Sequence, residues 1–118
     1  MKKIIASFSF AFNGIWYAFR HELNFRIHMF FSVMVTIAAW ALQISSHEWL
    51  VILLCIALVA SMELINTAIE KLCDVVHPEQ HPKIKIVKDA AAGAVLIAAI
   101  IAVICGVVVF LPKIISLL

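Results

Sequence analysis

The segment SMELINTAIEKLCD, residues 61–74, places four polar side chains on one face of a helix: Glu63, Asn66, Glu70 and Asp74. They are three or four residues apart, and an α-helix completes a turn in about 3.6 residues. Two carboxylates about two turns apart, with an amide between them, suit a metal ion together with a general base. Mg²⁺ takes oxygen ligands from one or two carboxylates and completes its shell with phosphate and water. A carboxylate that holds no metal can accept a proton from a hydroxyl.

The same stripe also has a purely structural interpretation. Glu63 directly follows an apolar run, where an ionised carboxylate costs free energy unless it has a partner or a task. Structural ion pairs are common, and the available partners for Glu63 and Glu70 are Arg26, Lys88 or a neighbouring chain. The residues alone leave both interpretations open.

The composition of the chain indicates a membrane protein. Its 118 residues allow one domain, of which 65% of residues are hydrophobic and only 14% are charged. Soluble domains have about 25% charged residues. The mean hydropathy is +1.12, so lipid is the expected solvent. The three cysteines form no CxxC pair, which argues against a zinc site and a disulfide framework.

We expect an all-α integral membrane protein with one domain, 1–118. An amphipathic surface helix precedes three apolar runs, which approach the length of about 20 residues that spans a bilayer. The aromatic N-terminal segment carries Trp16 and Tyr17 and has no cleavage pattern, so it fits an interfacial helix better than a signal peptide. Pro112 is expected to end the third run. The predicted segments are surface helix 1–27, transmembrane helices 29–45, 49–70 and 89–111, and loop 71–88.

The basic residues predict the orientation. Four precede the first span and four lie between the second and third, whereas the C-terminal end has only Lys113. Basic loops stay on the cytoplasmic side, which places the N-terminal helix and the long loop in the cytoplasm. The two groups of four are Lys2, Lys3, Arg20, Arg26 and Lys71, Lys83, Lys85, Lys88.

Four segments of the sequence resemble one known family, the prokaryotic diacylglycerol and undecaprenol kinases. MELINTAIEKLCD is similar to the family signature E-x-x-N-[ST]-A-I-E-x-x-x-D. KDAAAGAV, residues 88–95, resembles a second signature that begins with Lys-Asp. Glu22 precedes NFRIH as an acidic residue precedes Phe-Arg in the family, and SFAFNGI, residues 9–15, matches the surface-helix pattern.

The resemblance implies a role for each matching residue. Glu63 falls on the general base that receives the lipid hydroxyl proton, and with Arg26 it lies at the acceptor. Glu22 and Glu70 fall on the carboxylates that hold Mg²⁺ against ATP, and Asn66 on an asparagine that holds the site together. Phe10 stands where some members have Tyr, and Lys3 where some have Arg, which removes bidentate phosphate binding. The implied nucleotide-binding set is Lys3, Phe10, Glu22, Glu70, Glu79, Gln80, His81, Lys88 and Asp89.

The resemblance also implies an activity, a location and an assembly. The activity is ATP- and Mg²⁺-dependent phosphorylation of a membrane lipid alcohol at the cytoplasmic surface of the bacterial inner membrane, without nucleic acid. NTAIE, KDAAAGAV and the His-Pro before it favour undecaprenol over diacylglycerol, which stays an alternative. A homotrimer is expected, in which Glu22 serves the polar stripe of a neighbouring subunit.

Two other function classes compete with the kinase hypothesis. A small oligomeric transporter or ion-conducting protein would use Glu63 as its intramembrane carboxylate. A conduction path needs polar groups through the span, yet residues 49–60 offer none beyond Cys55. A membrane scaffold would need neither the Lys88–Asp89 pair nor a matching Glu22.

Overall fold

The computed structural model describes residues 1–118 and consists of α-helices and short connections, without strands. The helices are α1 Lys2–His21, α2 Leu23–Ala41, α3 Ser46–Val76 and α4 Pro82–Leu117. The last three are long and apolar enough to cross a membrane. The prediction of an all-α protein with an N-terminal helix and three spans is confirmed.

Helix α3 is the central element of a thin molecule. It packs along α4 and also contacts α2 and α1. The molecule measures 54 × 43 × 21 Å, and only 13 of 118 residues are buried. Its small apolar core lies where α2 ends and α3 begins, around Ala39, Ile44, Ile52 and Val109. Most large apolar side chains are therefore left for lipid or for another chain to cover.

The N-terminal helix ends earlier than the predicted 1–27 segment. The backbone is extended at Glu22, with φ −111° and ψ 110°, and α2 starts at Leu23 instead of residue 29. Arg26 stabilises this break because its Nη1 donates to the carbonyl oxygens of Phe19 at 3.1 Å and Arg20 at 2.9 Å. These carbonyls lie in the last turn of α1, where helix carbonyls lack backbone partners.

The connection between α3 and α4 is much shorter than the predicted loop 71–88. Helix α3 continues to Val76, and α4 begins at Pro82, so only residues 77–81 are non-helical. Pro78 prevents α3 from continuing, and Pro82 fits the first turn of α4, where a missing N–H costs nothing. The basic residues on either side therefore lie on helical extensions.

The prediction that Pro112 ends α4 was wrong. The helix passes through Pro112 and reaches Leu117. In apolar surroundings a helix end leaves carbonyl groups without partners, so continuing the helix costs less than stopping at the proline. On the far side of Pro112, Lys113 forms an ion pair with Glu48 at 3.1 Å, while Glu48 also closes a capping box with Ser45. This pair joins α4 to the first turn of α3.

Gln43, in the turn between α2 and α3, has a positive φ of 52°. A side chain with a Cβ atom in this left-handed region costs about 1–2 kcal/mol, and only glycine avoids the cost. The turn requires it because the next residue, Ile44, is buried and donates its N–H to the Ala39 carbonyl at 3.3 Å.

We expect Gln43→Gly to stabilise the protein by up to about 1 kcal/mol, because relief of the left-handed strain outweighs the larger chain entropy of glycine. Gln43→Val should destabilise it, since a branched Cβ crowds this backbone further, and Gln43→Ala should change little. Unfolding midpoints of the three variants in detergent micelles measure the order. Equal midpoints for Gly and Val would contradict this account.

Candidate active site

Glu63 is a buried carboxylate at the end of the apolar run of α3. It is 4% exposed, and its Oε1 lies 3.2 Å from Nε2 of His28 on α2. His28 was not among the partners suggested by the sequence. Arg26 instead binds the end of α1, and Lys88 binds Asp74. The sequence contained a signal for this contact: His28 and Glu63 each lie at one end of the apolar run of their own helix, which places them at the same depth in the membrane.

Asn66 lies on the same face of α3, one turn after Glu63. Its Nδ2 donates to Glu70 Oε1 at 3.3 Å, which orients the Glu70 carboxylate. Its Oδ1 is buried and has no hydrogen-bond partner. A buried carbonyl oxygen without a partner is uncommon, and it marks a position where a ligand would supply the missing donor or cation.

Glu22 joins this group from the break between α1 and α2. Its Oε1 lies 3.9 Å from Lys71 Nζ on α3, and the Lys71 ammonium lies 5.8 Å from the centre of the Tyr17 ring. Lys71 directly follows Glu70 in α3, so Glu22 approaches the part of the polar stripe that contains Glu70. Within the single chain Glu22 lies beside α3. That it serves the polar stripe of a neighbouring subunit stays a prediction.

Asp74 continues the stripe beyond the apolar run and binds α4. Lys88 Nζ donates to Asp74 Oδ1 at 2.8 Å. Both residues lie outside the uncharged runs, and the hydrogen bond and charge of Lys88 lower the pKa of the Asp74 carboxyl. The neighbouring Asp89 is bound by Lys85, one turn earlier on the same helix. Lys88 and Asp89 thus lie on the first turns of α4, beside the stripe.

The loop between α3 and α4 borders a cavity of about 540 Å³. Local hydrogen bonds shape this loop: His77 Nδ1 donates to the Glu79 carbonyl at 2.8 Å, and His81 Nδ1 accepts from the Lys83 N–H at 3.1 Å. Five of its eight lining residues have polar or charged side chains, and four of these five are assigned to a nucleotide by resemblance: Glu79, Gln80, His81 and Lys88.

Three residues assigned by resemblance lie outside these clusters. Lys3 and Phe10 are exposed on α1, and Lys3 stands about 28 Å from Glu22 along the helix axis at 1.5 Å per residue. Their side chains make no hydrogen bond or ion pair with the acidic group. Arg26 is occupied by the carbonyls of α1.

A membrane groove runs between α2, α3 and α4. It starts at His28 and extends along α3 to Ile52 and along α4 to Phe110, with a cavity volume of about 380 Å³. Nearly all of its lining is aliphatic or aromatic, and the Ser32 hydroxyl is already bound to the His28 carbonyl at 2.7 Å. The groove therefore offers an apolar chain a path that ends beside the His28–Glu63 pair, and it offers an ion no continuous polar path.

The arrangement has the parts of a group-transfer site at a membrane boundary. Glu63 can act as a base where the groove ends, and the acidic and basic side chains beyond it can position a charged co-substrate. A family model described as prokaryotic diacylglycerol kinase matches residues 9–110. The chain belongs to this family.

Named relatives of the prokaryotic diacylglycerol kinase family support the assignment along most of the chain. The chain is 42% identical over 113 residues to the undecaprenol kinase of Bacillus subtilis, covering 96% of this chain and 92% of that protein. It is 45% identical over 116 residues to the diacylglycerol kinase of Synechocystis, covering 98% of this chain and 66% of that protein. With the diacylglycerol kinase of Escherichia coli K12 it shares 29% identity over 102 residues, which cover 86% of this chain and 84% of that protein.

Membership of the prokaryotic diacylglycerol kinase family, together with three helices able to span a bilayer, makes the chain a multi-pass membrane protein. The family match contains every candidate site residue except Lys3, which lies before residue 9. The residues brought together by α3 and its neighbours are thus all within the part of the chain that defines the family.

Proposed function

We propose that this protein is a lipid kinase that transfers the γ-phosphate of ATP to the hydroxyl of a membrane lipid alcohol. The observation that carries the proposal is the position of Glu63, a buried carboxylate in contact with His28, which lines the end of the membrane groove. The acceptor lipid cannot leave the bilayer, so its hydroxyl must be activated at this boundary. Family membership and the kinase names of the relatives support the same reaction.

Glu63 is the proposed general base. The acceptor hydroxyl oxygen attacks the γ-phosphorus, its proton passes to the Glu63 carboxylate, and the bond from the γ-phosphorus to the bridging oxygen of ADP breaks. Phosphoryl transfer depends mainly on positioning and charge neutralisation, so one correctly placed base and a set of cationic contacts are sufficient.

The acidic residues fit a magnesium ion that is shared with the nucleotide. No three His, Cys, Asp or Glu side chains converge as a complete metal site. Mg²⁺ commonly uses one or two carboxylates plus substrate phosphates, and the unpartnered Asn66 Oδ1 is a further hard oxygen beside Glu70. Glu22 and Glu70 would hold the ion, which supplies neutralisation of phosphate charge when bound.

The nucleotide is proposed to bind between the α3–α4 loop and the first turns of α4. Lys88 can turn from Asp74 towards phosphate, and Glu79, Gln80, His81 and Asp89 border the same region. Lys3 and Phe10 lie far from it along α1, so any contact they make with a nucleotide would come from another part of the assembly. A homotrimer is proposed because the thin single chain leaves most of its apolar surface uncovered.

The acceptor is proposed to place its apolar chain in the membrane groove. Undecaprenol is favoured over diacylglycerol by the NTAIE and KDAAAGAV segments, while the identities to the two kinds of named kinase are similar. The basic residues around α1 and the α3–α4 loop support a site on the cytoplasmic side of a bacterial inner membrane.

The direct experiment uses purified protein, labelled ATP, Mg²⁺ and mixed micelles that contain either undecaprenol or diacylglycerol. Label should appear in lipid phosphate, faster with undecaprenol. Release of label as inorganic phosphate alone, with none in either lipid, would overturn the kinase proposal, and faster transfer to diacylglycerol would reverse the choice of acceptor.

We expect Glu63→Gln to lower kcat by about 10²–10⁴-fold, because the amide keeps the shape of the side chain but cannot accept a proton. ATP binding, measured by protection against thermal unfolding, should persist. Glu48→Gln is a matched control, since Glu48 binds Lys113 at the other end of α3. A Glu63→Gln variant with wild-type turnover would exclude Glu63 as the base.

Glu22→Gln and Glu70→Gln should each raise the Mg²⁺ concentration needed for half-maximal rate, because each removes one proposed oxygen ligand. The measurement is a Mg²⁺ titration at saturating ATP. Glu79→Gln removes a carboxylate in the same way, but Glu79 is not a proposed metal ligand, so this control should leave the titration unchanged. Two unshifted titration curves would place the metal elsewhere.

Mixing Glu63→Gln chains with Glu22→Gln chains should restore part of the activity, because the proposed homotrimer brings Glu22 of one subunit to the polar stripe of its neighbour. Random trimers should recover roughly a quarter of wild-type activity through their intact interfaces, whereas a site built within one chain would recover none. Crosslinking must confirm that the mixed oligomers form. Recovery near that level would show that this part of the site is shared.

A further inference from the structure

His28 is the one side chain that binds the Glu63 carboxylate. The distance from Nε2 to Oε1 is 3.2 Å, and the two side chains are 26% and 5% exposed. The other cationic groups near the site have different partners: Arg26 binds carbonyls of α1, Lys71 approaches Glu22 and Tyr17, and Lys88 binds Asp74. Glu63 therefore depends on α2 for its only favourable polar contact.

The surroundings make that contact necessary. Glu63 is 4% exposed at the end of the apolar run of α3, and a second carboxylate, Glu70, lies two turns further along the same face. A buried carboxylate without a partner either loses its charge or turns towards water. Either change would remove the base from the end of the membrane groove.

We propose that His28 is a positioning residue for the general base. With its Nε2 3.2 Å from Glu63 Oε1, His28 can donate an N–H to that oxygen and hold the carboxylate in place, which leaves Oε2 free to receive the proton of the acceptor hydroxyl. His28 also lines the mouth of the membrane groove, so a chain lying in the groove brings its head group to the free side of the Glu63 carboxylate. This inference rests on the proposed function, and it assigns to α2 a part in catalysis that the signature on α3 does not contain.

The test compares two substitutions of similar size. His28→Gln retains an N–H donor near the position of Nε2, whereas His28→Met fills the space without a donor. We expect His28→Met to lower kcat by about 10- to 100-fold, which is less than loss of the base itself, with the KM for ATP unchanged. His28→Gln should recover most of the rate. His47→Met is the matched control, since His47 is an exposed histidine in the first turn of α3.

A second comparison separates positioning from packing. In a Glu63→Gln background, His28→Met should change the residual rate by less than about twofold, because residues that act through one another are non-additive. A packing role would lower the rate by the same factor in both backgrounds and would lower the unfolding midpoint in parallel.

Equal losses in the two backgrounds, or a His28→Gln variant as slow as His28→Met, would overturn the proposal while the kinase reaction stands. If the residual rate of Glu63→Gln is too low to measure, the comparison of His28→Gln with His28→Met in the wild-type background tests the proposal by itself. Absence of lipid phosphorylation by the wild-type protein would instead refute the proposed function itself.

Discussion

A carboxylate at the edge of a lipid-facing helix must be bound by the protein, and the contact between Glu63 and His28 meets this requirement. The contact connects α2 to α3 at the depth where the apolar run of each helix ends. The remaining polar groups of α3 extend from this point in order, with Asn66 and Glu70 next and Asp74 furthest out. The position of the proposed base, the orientation of its neighbours and the entry of the acceptor all depend on this contact.

Lipid as the solvent explains why so little of the chain is buried. Backbone hydrogen bonds are satisfied inside the helices, which contain 88 of the 98 backbone hydrogen bonds. Apolar side chains need no core when their surroundings are equally apolar, so small contact areas and a few polar contacts determine how the helices associate. The polar residues are consequently concentrated where helices meet, and the site is built from the same residues.

The sequence predicted the parts of the structure that have a local physical cause. Helical spacing was sufficient to place Glu63, Asn66 and Glu70 on one face, and hydropathy was sufficient to find three spans. The partners of Arg26 and His28 could not be predicted, because they are the carbonyls of α1 and a carboxylate 35 residues away in the chain. The predicted helix end at Pro112 was wrong because proline ends helices in water, whereas apolar surroundings favour continuation of the helix. The extent of the loop was missed because basic residues give orientation and carry little information about where a helix ends.

Helices α3 and α4 are joined by an ion pair near each of their ends, Glu48–Lys113 and Asp74–Lys88. At 1.5 Å per residue the two pairs are about 39 Å apart along α3 and about 38 Å apart along α4. The spacing between the two ion pairs is thus nearly equal on both helices. It is longer than the hydrocarbon layer of about 30 Å and close to the bilayer thickness that includes the head groups. Inserting or deleting one residue between the ion pairs on either helix would shift one pair by about 100° and 1.5 Å. The register of α3 against α4 is therefore marked at both ends, and a slip of one helix along the other would separate both pairs.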